Sequence, residues 1–234
     1  MLRALLINDP VIILLTVLFG TISLITSLFD PSGRAQHKVA RVWARWLLAG
    51  AGIRARVEGL ENIEPDGSYV FAANHLSYID TPLVIGFIPT QFRFLAKQGL
   101  WKVPFIGYHL NRAGHIPVPR DDPRASLRTM AEAGRIIRER AVSVLVFPEG
   151  GRSPREMEAF KEGAAYIAIK AGVPIVPVGI IGTREVLPMD SVFVRSGEVT
   201  LRIGKPLPTE GLTLHCRGEV TQELRRRVVE LVCR

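Results

Sequence analysis

Val142-Ser-Val-Leu-Val-Phe147 runs straight into Pro148-Glu149-Gly150-Gly151-Arg152-Ser153, and this junction decides the class of fold. A short run dominated by valine, leucine and phenylalanine reads as a buried strand. The proline and glycine pairs behind it end the strand in a tight turn. Such a turn exposes backbone N–H groups suited to an anion, and it leaves the carboxyl end of a strand, where open α/β sheets bind ligands. Working outward, residues 123–140 place Leu127, Met130, Ala133 and Ile137 at helical spacing, and 160–171 reads as another helix. Strand-like segments lie at 53–58, 68–73, 92–96, 115–118, 174–181 and 199–203, and a basic amphipathic helix at 219–232 closes the chain. Strands separated by helices at this pitch predict an α/β fold with a central, mostly parallel sheet flanked by helices. No internal repeat or low-complexity segment interrupts it.

The chain has 234 residues, 47% of them hydrophobic, and a formal net charge of +8. That length suits a large core, and the composition excludes disorder as the main state. Cys216 and Cys233 make neither a disulfide framework nor a metal cluster, so no metal is expected. Hydrophobicity joined to basicity points to an acidic surface, a membrane or a nucleic acid. The basic residues are spread along the chain without the aromatic-interleaved stripe of a nucleic-acid binder, so no nucleic acid is expected as partner.

The first fifty residues favour the membrane. PVIILLTVLFGTISLITSLF, residues 10–29, carries no charge and is bracketed by Asp9 and Asp30. Twenty helical residues extend about 30 Å, the thickness of a hydrocarbon core. The run is too long for the apolar part of a cleaved signal peptide. After Pro31-Ser32-Gly33, a second helix sets Val39, Val42, Trp43, Trp46 and Leu47 against Lys38, Arg41 and Arg45. It reads as an interfacial helix or as a core helix with a solvated basic face. Residues 1–50 are therefore expected to form a two-helix membrane-anchoring hairpin, and 51–234 the α/β domain. Whether residues 10–29 span the bilayer or lie in one leaflet stays open. If they span, the basic residues from Arg34 to Arg45 place the domain on the cytoplasmic face.

The chemistry-bearing residues begin with Asn74-His75-Leu76-Ser77-Tyr78-Ile79-Asp80. On a regular helix or strand, His75 and Asp80 would not share a face. They meet only if the chain turns from the strand ending near residue 73 into a helix starting at Thr81-Pro82, with Asp80 or Thr81 as N-cap. A histidine held by an aspartate there is an oriented general base. The same residues also suit a helix cap beside an ordinary loop histidine. In the second block, Arg152 offers a planar fork for phosphate or carboxylate. The alternative is a Gly-Pro loop carrying a surface Glu–Arg pair.

NHLSYID followed by FPEGGRS resembles the glycerolipid acyltransferase superfamily, the 1-acyl-glycerol-3-phosphate acyltransferases in particular. The resemblance extends to residues 97–107, to 114–120 and to Val173-Pro-Ile-Val-Pro177, in the family's order. Gly151 replaces the family's usual threonine, and Gly99 stands where a polar residue is commoner. The resemblance implies a membrane-bound enzyme that moves a fatty acyl group from an acyl-thioester of coenzyme A or acyl carrier protein. The acceptor is a lysophospholipid, and no cofactor takes part. His75 is implied as general base and Asp80 as its orienter. Asn74, Lys97, Arg120, Glu149, Gly150 and Arg152 are implied to bind substrate, Glu149 orienting Arg152. Anionic membrane lipids are the expected surface partner. A sister enzyme acting on lyso-ornithine lipid, and a non-catalytic lipid-binding protein, are the alternatives.

Overall fold

A computed structural model describes residues 7–103, 106–119, 121–153 and 157–233. Seven strands form one sheet: β1 (Ile53–Glu58), β2 (Val70–Ala73), β3 (Phe92–Lys97), β4 (Ile116–Val118), β5 (Ser143–Val146), β6 (Ile175–Ile181) and β7 (Gly197–Ile203). Their spatial order is β1-β7-β6-β2-β5-β3-β4. The strands from β6 through β4 are mutually parallel, whereas β7 runs antiparallel to β6 and pairs parallel with β1. The expected mostly parallel sheet is therefore present, with a reversed pair at one edge.

Side-chain alternation along the strands splits the core into two layers. Phe71, Phe92, Leu145, Val178 and Ile180 point to the layer of α3 (Asp80–Phe87) and α2 (Arg34–Gly50). Val70, Val144 and Ile175 point to α5 (Pro123–Arg140), α6 (Gly163–Ala171) and α8 (Arg217–Cys233). Burying each such side chain contributes about 1.5–3 kcal/mol, so both faces of β2 and β5 hold the sheet's centre rigid. The short helices α4 (Ile106–Arg112) and α7 (Thr183–Val186) are elements that periodicity did not announce, since neither completes the turns needed to show a repeat.

The N-terminal helix α1 (Asp9–Thr26) is long and apolar enough to cross a membrane and is exposed along most of its length. Yet both of its ends are tied to the α/β domain. Asn8 Nδ2 donates to Val194 O at 2.8 Å, and Ser23 Oγ meets His109 Nδ1 of α4 at 3.2 Å. Arg112 adds a bond to Ser27 Oγ at 3.2 Å. The second helix corrects the sequence reading of its faces. Its buried side is Gln36, Ala44, Leu47 and Leu48, the last three in the same core as the sheet with Trp43 packed against it, while Val42 and Trp46 are exposed. Arg41 and Arg45 are not simply solvated, because they donate to Pro89 O (2.9 Å) and Gly86 O (2.8 Å) at the end of α3.

The hairpin turn is locked from the sheet. Arg93, buried on β3, donates to Ser32 O at 2.5 Å. Gly33 holds φ at +70°, which strains any side chain, and a Cβ there would lie 2.9 Å from the Arg93 guanidinium and push it aside. Three histidines lie between hairpin and sheet, and burial lowers all their pKa values: His37 to about 4, His115 well below its ordinary value, and His109 in the same direction. Arg93 adds to the lowering at His37 and His115. These rings stay neutral in the fold but bind protons when exposed, below their ordinary value of about 6.5. Between those limits the unfolded chain holds more protons, so stability falls as pH drops from about 6.5 towards 4. Thermal melts at pH 7 and pH 5 are expected to show a lower midpoint at the acidic value. His37→Gln is expected to narrow the gap; an unchanged gap would remove His37 from the account.

Candidate active site

The parallel registers bring the two sequence blocks together. Ala72 is paired with Val146, so three residues further on His75 falls opposite Glu149. Phe94 is paired with Leu145, which sends Lys97 to the same sheet edge. Asn74 closes the end of β2 onto β6. Its Nδ2 donates to Ile180 O at 2.9 Å and its Oδ1 accepts Ile180 N–H at 2.7 Å. Asn74 is thus a buried cross-brace with both ends of its amide engaged by backbone, and it also lines the cleft beside the turn.

The chain then turns as the His75–Asp80 pairing requires. His75 Nδ1 lies 2.8 Å from Asp80 Oδ2, which also accepts the N–H groups of Leu76 (2.6 Å) and Ser77 (2.9 Å). A carboxylate committed to two N–H donors makes Nδ1–H the third and leaves the Nε2 lone pair as proton acceptor. Asp80 is fully buried as the first residue of α3, where the positive end of the helix favours its charge. It is not the N-cap that the sequence suggested. Ile79 holds that place without a side-chain bond, because the Asp80 carboxylate reaches back to close its own turn.

The second block clasps this turn. Glu149 is 4% exposed. Its Oε1 accepts His75 N–H at 2.7 Å, while Oε2 accepts Glu158 N–H at 3.0 Å and the Ser153 hydroxyl. Ser153 N–H donates to His75 O at 2.9 Å, so the backbone of His75 is held on both sides. The imidazole stacks on Phe147 with centroids 4.0 Å apart and planes 14° from parallel. The expectation that Glu149 orients Arg152 is therefore corrected. Among the described residues the two make no ion pair, and the carboxylate is filled by donors from its own loop and from the histidine turn.

The cations stand around this clasp. The Arg152 guanidinium lies 3.7 Å from the centroid of the exposed Tyr78 ring, which holds it over the turn by a cation–π contact. Gly150 takes φ +80°, and a Cβ there would come 2.6 Å from Lys161 Nζ, so the glycine brings this ammonium onto the loop. Lys161 and Phe147 are the site residues that sequence reasoning missed. Their signal was adjacency, Phe147 heading the second block and Lys161 following it. Lys97 is exposed at the end of β3. Arg120 lies outside the described residues. At Gly151 a Cβ would meet nothing within 4 Å, so the family's threonine is replaced here by open space.

A cleft of about 430 Å³ adjoins the turn, with Leu76, Ile180, Ile181 and Val229 among its apolar walls. A larger one of about 630 Å³ lies among Glu58, Arg202, Lys205 and Arg226. Its lining holds the 2.8 Å Arg202–Glu58 pair and includes none of the residues of the His75–Asp80 turn.

A family model described as Acyltransferase matches residues 54–181. The chloroplastic 1-acyl-sn-glycerol-3-phosphate acyltransferase of Arabidopsis thaliana is 33% identical over 184 residues, 77% of this chain and 51% of that protein. The 1-acyl-sn-glycerol-3-phosphate acyltransferase of Pseudomonas aeruginosa is 30% identical over 217 residues, 91% of this chain and 83% of that protein. This chain thus spans about half the length of the plant relative and most of the bacterial one. The crystal structure of the 1-acyl-sn-glycerophosphate (LPA) acyltransferase PlsC from Thermotoga maritima superposes with a TM-score of 0.79 at 29% identity, covering 100% of this chain and 99% of that one.

Proposed function

The chain belongs to the acyltransferase family, and from that premise we propose that it transfers a fatty acyl group from an acyl-thioester to the sn-2 hydroxyl of a 1-acyl-glycerol-3-phosphate, giving phosphatidic acid. The observation that carries the reading is the 2.8 Å contact of His75 Nδ1 with a buried, twice-anchored Asp80 at the sheet edge where Lys97, Arg152 and Lys161 emerge. His75 Nε2 takes the hydroxyl proton as the oxygen attacks the thioester carbonyl carbon. Asp80 stabilises the imidazolium that forms. The tetrahedral oxyanion collapses, the C–S bond breaks, and the thiolate leaves with the proton held on His75. Acyl carrier protein or coenzyme A is the carrier. The acceptor phosphomonoester carries close to two negative charges and is met by Arg152, Lys97 and Lys161.

The enzyme works on the membrane, with α1 in one leaflet and the domain on the cytoplasmic face. A spanning helix parts its ends by about 30 Å across the bilayer. Here Asn8 and Ser23 are both bonded to the same domain, which supports a helix lying along the surface. The net charge of +8 favours the anionic cytoplasmic leaflet.

Acyl transfer from a labelled acyl-thioester, with lysophosphatidic acid and lyso-ornithine lipid offered in parallel, tests the reaction and the acceptor together. Lysophosphatidic acid is expected to be preferred. Arg152→Ala is expected to raise KM for it about tenfold, the scale of one charge-assisted bond, with little change for a phosphate-free acceptor. Equal losses on both acceptors would remove Arg152 from the phosphate. Absence of transfer to either acceptor, from folded protein with both carriers, would overturn the reading in favour of a non-catalytic lipid-binding protein.

A further inference from the structure

The 3-10 turn over Gln98–Lys102 and α4 form a braced unit at the carboxyl end of β3. Val103 N–H bonds to Leu100 O at 3.2 Å, and Gly107 N–H to Val103 O at 2.8 Å. Gly107 is seated on the turn so closely that a Cβ would come 2.2 Å from Trp101 O. This unit turns Leu100, Val103, Ile106 and Tyr108 outward, with exposures between 40% for Leu100 and 52% for Tyr108. Scattered exposed apolar residues need no explanation, but four on one braced unit do. Lys97 and Lys102 are exposed beside them. Apolar side chains with a tyrosine and flanking lysines are the composition of an element seated at a membrane interface.

Continuity with α1 identifies the occupant. The bonds of His109 to Ser23 and of Arg112 to Ser27 fix α4 against the end of α1 and the turn behind it, which expose Ile22, Ile25 and Leu28. We infer that Leu100, Val103, Ile106 and Tyr108 form a second membrane contact, sunk in the same leaflet as α1. This contact holds Lys97 at headgroup depth, so that a lysolipid's phosphate is met without leaving the bilayer. The inference rests on the lipid acceptor and the α1 placement proposed above.

The test uses full-length protein carrying Cys216→Ser and Cys233→Ser, with an environment-sensitive fluorophore on Val103→Cys. Vesicles of equal parts phosphatidylcholine and phosphatidylglycerol are expected to shift its emission to the blue, and spin-labelled lipid to quench it. The same label on Leu18→Cys of α1 is the positive reference. On Leu212→Cys, near the α6 layer, the label is expected to stay water-like. A water-like signal at position 103 while position 18 reports lipid would overturn the inference. So would a blue shift at 103 without vesicles, which assigns the patch to a second copy of the chain.

Kinetics give a second reading. Leu100→Ser, Val103→Ser and Ile106→Ser combined are expected to raise the apparent KM for vesicle-embedded lysolipid about tenfold. Turnover of a short-chain, water-soluble lysolipid should stay within about twofold of the parent, since no proposed catalytic group is altered. An unchanged KM for the embedded lipid would count against the contact. If the parent turned over neither acceptor, the acyl-transfer reading would fail, while the fluorescence result, which needs no catalysis, would still decide the surface.

Discussion

His75→Ala is expected to lower acyl transfer by about 10²–10⁴-fold, the usual contribution of a positioned general base. Melting midpoint and vesicle binding should stay close to those of the parent. The size of the effect follows from what no neighbour can replace. Asp80 is fully buried and spends the same oxygen on Leu76 and Ser77, so it does not reach a substrate hydroxyl in place of the imidazole. Stability should change little because the backbone of residue 75 keeps its bonds to Glu149 and Ser153 whatever its side chain. The side chain gives up its stacking on Phe147 and one bond to Asp80. Turnover within a few-fold of the parent would remove His75 from the proton transfer.

Glu149→Gln is expected to lower both turnover and stability while leaving KM for the acceptor nearly unchanged. The carboxylate accepts bonds from His75 N–H, Glu158 N–H and the Ser153 hydroxyl in a nearly dry site. An amide has one acceptor oxygen, so its NH₂ must face either the His75 or the Glu158 N–H. Leaving one buried charge-assisted bond unmade costs about 1.5–3 kcal/mol. For a domain of this size that lowers the melting midpoint by roughly 3–12 °C. With the main chain of His75 released on one side, turnover is expected to fall about tenfold or more, because small misplacements of a reacting group are costly. A higher KM at unchanged melting temperature would instead return Glu149 to the role of a substrate ligand.

Different parts of this arrangement were legible at different ranges. The strand at β5 and the helix at α5 were plain from neighbouring side chains, and their observed limits match the periodicity to within a residue or so. The turn joining His75 to Asp80 was also readable, because five residues with a proline behind them leave few ways to meet. The Glu149 contacts were not. A Glu three residues before an Arg reads as a surface pair, and nothing local says that the carboxylate instead faces a backbone amide 74 residues away. The second helix was legible only in part: Trp43 and Leu47 do pack on the core, but Val42 and Trp46 are exposed. Ala44 and Leu48 join Leu47 on the buried side, because that side of the helix packs against α3 and the sheet.

Sequence by itself determined the element types, the strand-to-loop junctions that carry the site, the uncharged N-terminal helix, and the spacing that lets His75 meet Asp80. These follow from interactions within a few residues, where chain connectivity already fixes who is near whom. Tertiary structure alone decided that Glu149 and Phe147 serve the histidine, that Asn74 braces β2 to β6, that Lys161 reaches Gly150, and that both ends of α1 return to one domain. Those contacts depend on strand register and layer packing, which sum over the whole core and are written in no single segment.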